Sequence, residues 1–217
     1  MRKKLQRFAE NELRRNVVQP GKPLFGHLQG RWGKEYFKNS NPIVLEVGCG
    51  RGEYTIGLAR RYPKKNFIGI DIKGDRIWRG SKEADESGLA NVAFLRIHAA
   101  ELANHFARQE VESIWITFPD PRPKKSDTHR RLTYPRYLEL YREILVSNGE
   151  VHLKTDHANF FQYTLEEVKN GKDIKLIYQT TNLYQAGLPT DLEIKTKYET
   201  PYLEKGLPIC YMRFKFL

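Results

Sequence analysis

Cysteine is nearly absent. The 217 residues hold two, Cys49 and Cys210, too far apart for a metal-ligand pair and too few for a disulfide framework. That scarcity excludes the disulfide-stapled secreted class and fits a reducing cytoplasm, the compartment expected for this chain. Long apolar runs are missing as well. The stretch Met1-Arg2-Lys3-Lys4-Leu5-Gln6-Arg7 is basic with no apolar segment behind it, so neither a signal peptide nor a bilayer span is expected. There is no internal repeat and no low-complexity tract. The composition is otherwise globular, with 12% aromatic and 40% apolar residues, enough for one domain with extensions around a substantial core.

Acidic charge is the scarcer sign. Asp and Glu number 26 against 37 Lys and Arg, leaving a net charge of +11. The excess is localised. Residues 1–34 carry +7 and residues 121–136 carry +5, while 35–120 balance and 137–217 are slightly acidic. Two short basic segments around a neutral body imply a polyanionic partner, nucleic acid ahead of an anionic membrane. A single basic tail or loop is commonly just a solvated face. The second segment, however, follows directly on a candidate active-site strand.

The most informative residues are Ile43-Val44-Leu45-Glu46-Val47-Gly48-Cys49-Gly50-Arg51-Gly52-Glu53, with Asp71 closing the run Phe67-Ile68-Gly69-Ile70. An apolar strand, a turn with glycines two apart, a helix and a second strand ending in a carboxylate form a nucleoside-binding unit. Gly48, Gly50 and Gly52 let backbone approach a ligand, and Asp71 can accept hydrogen bonds from a ribose diol. The dinucleotide fingerprint requires Gly or Ala where this chain has Glu53, and a carboxylate there competes with a pyrophosphate. S-adenosylmethionine carries no phosphate and tolerates it. Glu46, one residue before the strand's end, can meet the cationic amino group of its methionine part.

Residues 1–40 read as a basic N-terminal extension with a helix near 4–15, and residues 41–217 as the main domain. Strands are expected near 43–47, 66–70, 91–95, 112–117, 149–154, 174–179 and 209–216. Helices are expected near 53–62, 75–87, 99–108, 135–146 and 157–169. The βαβα order predicts a doubly wound α/β sheet, and 180–208 is a long connection, of a length that is usually functional or partly disordered. Ligands of such sheets bind beyond the C-terminal strand ends. Asp71, His98, Asp120 and Asp156 all fall there. The fourth tip, Phe118-Pro119-Asp120-Pro121-Arg122-Pro123-Lys124-Lys125, places Phe118, Asp120 and Arg122 each before a proline, which favours extended backbone and presets the direction of Asp120. The basic loop beyond it, with Lys124, Lys125, Arg130 and Arg131, is expected to hold phosphates.

On these blocks, together with Leu153-Lys154-Thr155-Asp156 and Thr196-Lys197-Tyr198-Glu199, the chain resembles the bacterial tRNA (guanine-N7-)-methyltransferases from about residue 40 to its end. The resemblance implies a class I, Rossmann-like methyltransferase domain over 41–217, with a mostly parallel seven-stranded sheet and helices on both faces. It implies S-adenosyl-L-methionine as cofactor, tRNA as partner, and methylation of guanine N7 in the variable loop. It places Glu46, Asp71, His98 and Asp120 at the cofactor. Lys124, Asp156, Thr196, Lys197, Tyr198 and Glu199 fall at the substrate.

The chain departs from the family pattern in places. His98 stands where Asp is more usual, although a neutral imidazole can accept one hydrogen bond. Arg122 stands where Trp is usual. Ser126-Asp127 replaces Arg-His, with His129 two positions late. Guanine N7 has a free lone pair, so the transfer needs alignment and stabilisation of the resulting cation more than a base. Asp120 is the expected catalytic residue, with Asp156 or Glu199 reading the guanine N1–H and amino donors. Two other readings stay open on the sequence: a methyltransferase acting on another RNA or a small molecule, and a non-catalytic RNA-binding module. Monomer and homodimer are both open.

Overall fold

The computed structural model describes residues 2–187, 190–197 and 199–217. The strands are β1 (Val17–Val18), β2 (Ile43–Val47), β3 (Asn66–Ile70), β4 (Val92–Leu95), β5 (Val111–Thr117), β6 (Leu145–Thr155), β7 (Ile174–Thr180) and β8 (Cys210–Phe216). The longer helices are α1 (Arg2–Leu13), α2 (Glu53–Arg61), α3 (Gly74–Glu86), α5 (Pro135–Ile144) and α6 (Ala158–Asn170). The short α4 (Leu102–His105) and α7 (Thr200–Glu204) complete the set. One sheet runs β1-β4-β3-β2-β5-β6-β8-β7, parallel as far as β6, with β8 antiparallel to both its neighbours.

The period of two along each strand sorts side chains to two faces. Leu45, Ile68, Ile114 and Val151 pack under α5 and α6, while Val44, Phe67, Phe94 and Trp115 pack under α2 and α3. The doubly wound, mostly parallel architecture is the one the sequence implies. Chain order leaves β2 in both directions, to β3 and β4 on one side and to β5 and β6 on the other. The switch point between β2 and β5 is where such sheets hold ligands.

The sheet has eight strands, not seven. The added strand comes from residues 1–40, which pack against the edge of the sheet. Val17 and Val18 pair with Phe94 and Leu95 of β4. Lys22 donates to the carbonyls of Asn11 (3.0 Å), Val17 (2.7 Å) and Arg14, closing the C-terminal end of α1. Trp32 is fully buried, lies 5.6 Å from the Phe106 ring and donates its indole N–H to His105 O at 2.9 Å. A two-residue strand shows no periodicity, so the sequence pattern passes over it.

The helix expected over 99–108 is instead a 3₁₀ turn, Ala99–Glu101, followed by α4. Phe106 leaves the helix in extended conformation, and its ring packs on Trp32. The connection 180–208 contains 3₁₀ turns at Leu183–Gln185 and Thr190–Glu193 and the short α7. Cys49 and Cys210 are buried and free. No helix among the described residues is long and apolar enough to cross a membrane.

Candidate functional site

A cavity of about 810 Å³ opens at the C-terminal ends of β2, β3, β5 and β6, the switch point of the sheet. Its floor begins with Glu46. The side chain is buried at the end of β2, where α2 starts behind it. Glu46 Oε2 accepts Thr55 N–H at 2.8 Å and the Thr55 hydroxyl; Oε1 accepts the Thr117 hydroxyl at 2.5 Å. Burial pushes its carboxyl up to about 7, opposed by the bonds from Thr117 and Thr55 and reinforced by the neighbouring charge of Glu53. Among the described residues it has no cationic partner. A buried carboxylate that lines a cavity without a counter-ion suits a ligand carrying an ammonium group.

The glycine turn that follows is fastened to the second strand tip. Gly50 N–H donates to Asp71 Oδ2 at 3.0 Å, and Lys73 N–H donates to Oδ1 at 2.8 Å. Each carboxylate oxygen keeps a further lone pair for a ligand hydroxyl. Gly50 has φ +55, and a Cβ there would point into open space. Gly52 has φ +73, and its Cβ would stand 2.5 Å from the Phe94 ring. Both positions demand glycine, the first for backbone shape and the second for closeness to β4.

His98 stands at the β4 edge, where its Nδ1 accepts Ala100 N–H at 3.1 Å and caps the 3₁₀ turn. The ring nitrogen that the sequence reading offered to a ligand donor is therefore taken. A neutral imidazole whose Nδ1 accepts carries its proton on Nε2. His98 presents a donor to the cavity, where an aspartate would present acceptors.

On the β5 side the backbone differs from expectation. Phe118 and Arg122, expected extended before their prolines, have φ +47 and +46. Non-glycine residues hold such conformations only where surroundings overdetermine them. Phe118 N–H donates to Lys154 O at 2.8 Å. The Arg131 guanidinium donates to Pro121 O (3.2 Å) and Arg122 O (3.1 Å), and lies 4.3 Å from the Tyr163 ring centroid. Between these fixed points Asp120 is 61% exposed, accepts Arg122 N–H at 3.2 Å, and pairs with the Arg122 guanidinium at 3.2 Å.

Of the residues singled out from sequence, the cavity wall gathers Glu46, Gly48, Gly50, Asp71, His98, Asp120, Arg130, Asp156 and Thr196. Gly52 lies beneath it. Lys124 and Lys125 are exposed outside it on the 3₁₀ segment and its approach, and Arg130 is held by Asp127 at 3.3 Å. Arg131 braces its own loop. Lys197 contributes its N–H to Glu53 Oε2 at 3.1 Å, and Glu199 is wholly buried behind the wall. Tyr198 lies outside the described residues.

Sequence reasoning passed over Arg76, Arg136 and Tyr202, which also line the cavity. Arg76 sits in the first turns of the helix after the Asp71 strand tip, a position the unit itself points to. Tyr202 reaches the wall only through tertiary folding, and the nearby Asp156 carboxylate pushes its phenol pKa up.

Residues 40–212 match the family model described as putative methyltransferase. The chain is 46% identical over its full length to a tRNA (guanine-N(7)-)-methyltransferase from Cytophaga hutchinsonii, covering 98% of that protein. It is 48% identical to one from Christiangramia forsetii over 98% of this chain and 97% of that protein. Among solved structures it is similar in fold to the 16S rRNA methyltransferase KamB, with a TM-score of 0.67 at 13% identity over 86% of this chain and 93% of that one. A putative methyltransferase from Streptococcus mutans, solved in complex with SAH, matches with a TM-score of 0.54 at 11% identity over 82% and 90% of the two chains.

Proposed function

The chain belongs to the tRNA (guanine-N(7)-)-methyltransferase family, and from that premise we propose that it methylates N7 of a guanine in the variable loop of tRNA. It is an S-adenosylmethionine-dependent enzyme. One observation carries the reading: a single cavity holds a buried, unpaired carboxylate at one end and an exposed carboxylate beside a basic loop at the other.

The residues present fit the cofactor. Glu46 would take its ammonium group, Asp71 the ribose hydroxyls, and the His98 N–H a ring nitrogen of adenine. When bound, the cofactor supplies a sulfonium methyl group to the guanine N7 lone pair. No proton leaves N7 beforehand, because the neutral base carries that lone pair free. Asp120 stabilises the positive charge that develops on the purine as a preorganised anion. Its exposed pair with Arg122 is worth roughly 0–1 kcal/mol, so an RNA phosphate can draw Arg122 aside and leave the carboxylate to the base. Asp156, on the same wall as Tyr202, accepts from the guanine N1–H and amino group.

Two basic flanks serve the tRNA backbone. Lys124, Lys125 and Arg130 form one. The other is α1, which runs beside α3 with Phe8 against Gly74 and Arg14 paired to Asp85. Lys3 and Lys4 thus project about 6–8 Å beyond the start of α3, on the side where the cavity opens. The chain acts as a soluble-substrate enzyme in the cytoplasm, as a monomer or homodimer.

The test is direct. Unmodified tRNA incubated with the protein and S-adenosylmethionine should yield 7-methylguanosine on nucleoside mass spectrometry, at one position mapped to the variable loop. Cofactor binding without any methylated guanosine would overturn the assignment.

A further inference from the structure

Lys154 is the next-to-last residue of β6, and its ammonium group is inside the protein. Neither its side chain nor that of Glu199 has any exposed surface, and the two meet at 2.7 Å. The same ammonium donates to Leu192 O at 2.7 Å and Ile194 O at 3.2 Å. Its three protons are thereby matched to three acceptors, all on one connection between β7 and β8. The rings of Tyr54 and Tyr184 flank it at 5.4 and 5.6 Å. Glu199 Oε2 accepts Thr196 N–H at 3.2 Å, so the carboxylate is satisfied on both oxygens.

The backbone of Lys154 faces the other wall. Its carbonyl is the acceptor that holds Phe118 N–H, at the positive-φ turn leading to Asp120. One residue therefore fastens the turn carrying Asp120 through its main chain and the segment carrying Thr196 and Tyr202 through its side chain. Neither Lys154 nor Glu199 lines the cavity, whereas Asp120, Thr196 and Tyr202 do. A buried ion pair is a costly way to fasten a loop, because well-packed apolar residues hold as firmly. What the pair adds is direction: three convergent bonds fix where the segment lies, which apolar contact does not.

We propose that Lys154 is a positioning residue for methyl transfer, which sets the segment 192–202 against the Asp120 turn, with Glu199 as its counter-ion and not a reader of guanine. This rests on the tRNA methyltransferase reading above and names a device within that same site.

The experiment compares Lys154→Met, Glu199→Gln and the double variant with wild type. The readouts are hydrogen exchange of residues 192–206, cofactor affinity by calorimetry, and single-turnover methylation of tRNA per cofactor-binding molecule. Each single variant should speed exchange in 192–206 and slow transfer on the order of 10²-fold, the effect of a small misplacement of reacting groups. Cofactor affinity should change little. The double variant should be no slower than either single one, because both remove the same latch.

The double variant also lacks an unpaired buried charge, so it keeps the test open where a single variant fails to fold. Unchanged exchange in folded Lys154→Met, or losses that add in the double variant, would overturn the proposal. So would a wild-type transfer rate with the segment released. Wild-type protein that binds cofactor yet leaves tRNA unmethylated defeats the function itself, a separate outcome visible before any variant is made.

Discussion

The two halves of the cavity are built on opposite terms. Around β2 and β3 each ligand-facing carboxylate is held on both oxygens by neutral N–H or hydroxyl donors before any ligand arrives. Glu46 is held by Thr55 and Thr117, and Asp71 by the N–H groups of Gly50 and Lys73. Around β5 and β6 Asp120 is exposed and paired with a cation, Arg122, its turn is held by Arg131 and the Lys154 carbonyl, and half-buried Asp156 shares the cavity wall with Tyr202. The first half suits a small ligand of constant shape. The second suits a large, charged substrate whose phosphates must displace local ion pairs such as Asp120–Arg122 and Asp127–Arg130. Rigidity is placed where the ligand is constant, and adjustable charge where RNA must enter.

The contrast is broken most sharply at Asp120. Asp120→Asn keeps the size of the side chain and its bond to Arg122 N–H but removes the charge. Single-turnover transfer at saturating tRNA and cofactor should fall on the order of 10²-fold or more, with cofactor affinity much less affected. A wild-type rate would make Asp120 a turn-former only and shift the catalytic role to Asp156.

The cofactor half is probed by pH. The Glu46 carboxyl is raised by burial to about 7, above its ordinary 4.5. Between these values the folded protein binds a proton that the unfolded chain does not, so the stability of the protein alone falls as pH rises through this window. Binding of an ammonium group needs the ionised form. Cofactor affinity should therefore weaken by up to about tenfold per unit as pH drops below about 7, and level off above it. Calorimetry in buffers of different ionisation enthalpy should show proton release on binding at pH 6. A flat profile from pH 5.5 to 8 would separate Glu46 from the ammonium group.

The smallest effect at any one condition belongs to the loop charges. Replacing Lys124, Lys125 and Arg130 by Ala should reduce the slope of log affinity for tRNA against log salt by about 2–3, with cofactor affinity unchanged. Arg131→Ala should behave differently, lowering transfer with little change of slope, since its guanidinium is spent on Pro121 and Arg122 carbonyls. Equal slope changes from both would make Arg131 a phosphate contact after all.

Much of the molecule is legible in order along the chain. Short apolar runs locate β2, β3, β5 and β8, and glycines at 48, 50 and 52 locate the turn, because these signals are local. The strand-tip rule then places Asp71, His98, Asp120 and Asp156 on one edge from residue order alone. Three matters lay beyond that reach. Val17–Val18 is too short to show a pattern and becomes a strand only because β4 offers an open edge. Phe118 and Arg122 adopt positive φ against their local preference, since Lys154 O and Arg131 hold the turn. Glu199 belongs to a motif that reads as substrate contact, yet its carboxylate faces Lys154 inside the protein.

The sequence by itself determined the seven longer strands of the sheet, its switch point, the residue types at each strand tip and the separation of charge, because each depends on residue type and near neighbours. Only the tertiary structure decided which charged groups face the cavity and which face each other. Burial and pairing depend on what lies across space, and a carboxylate at Glu46, Asp120 or Glu199 is the same letter until its partner is fixed: two threonine hydroxyls, an exposed arginine, or a lysine sealed from water.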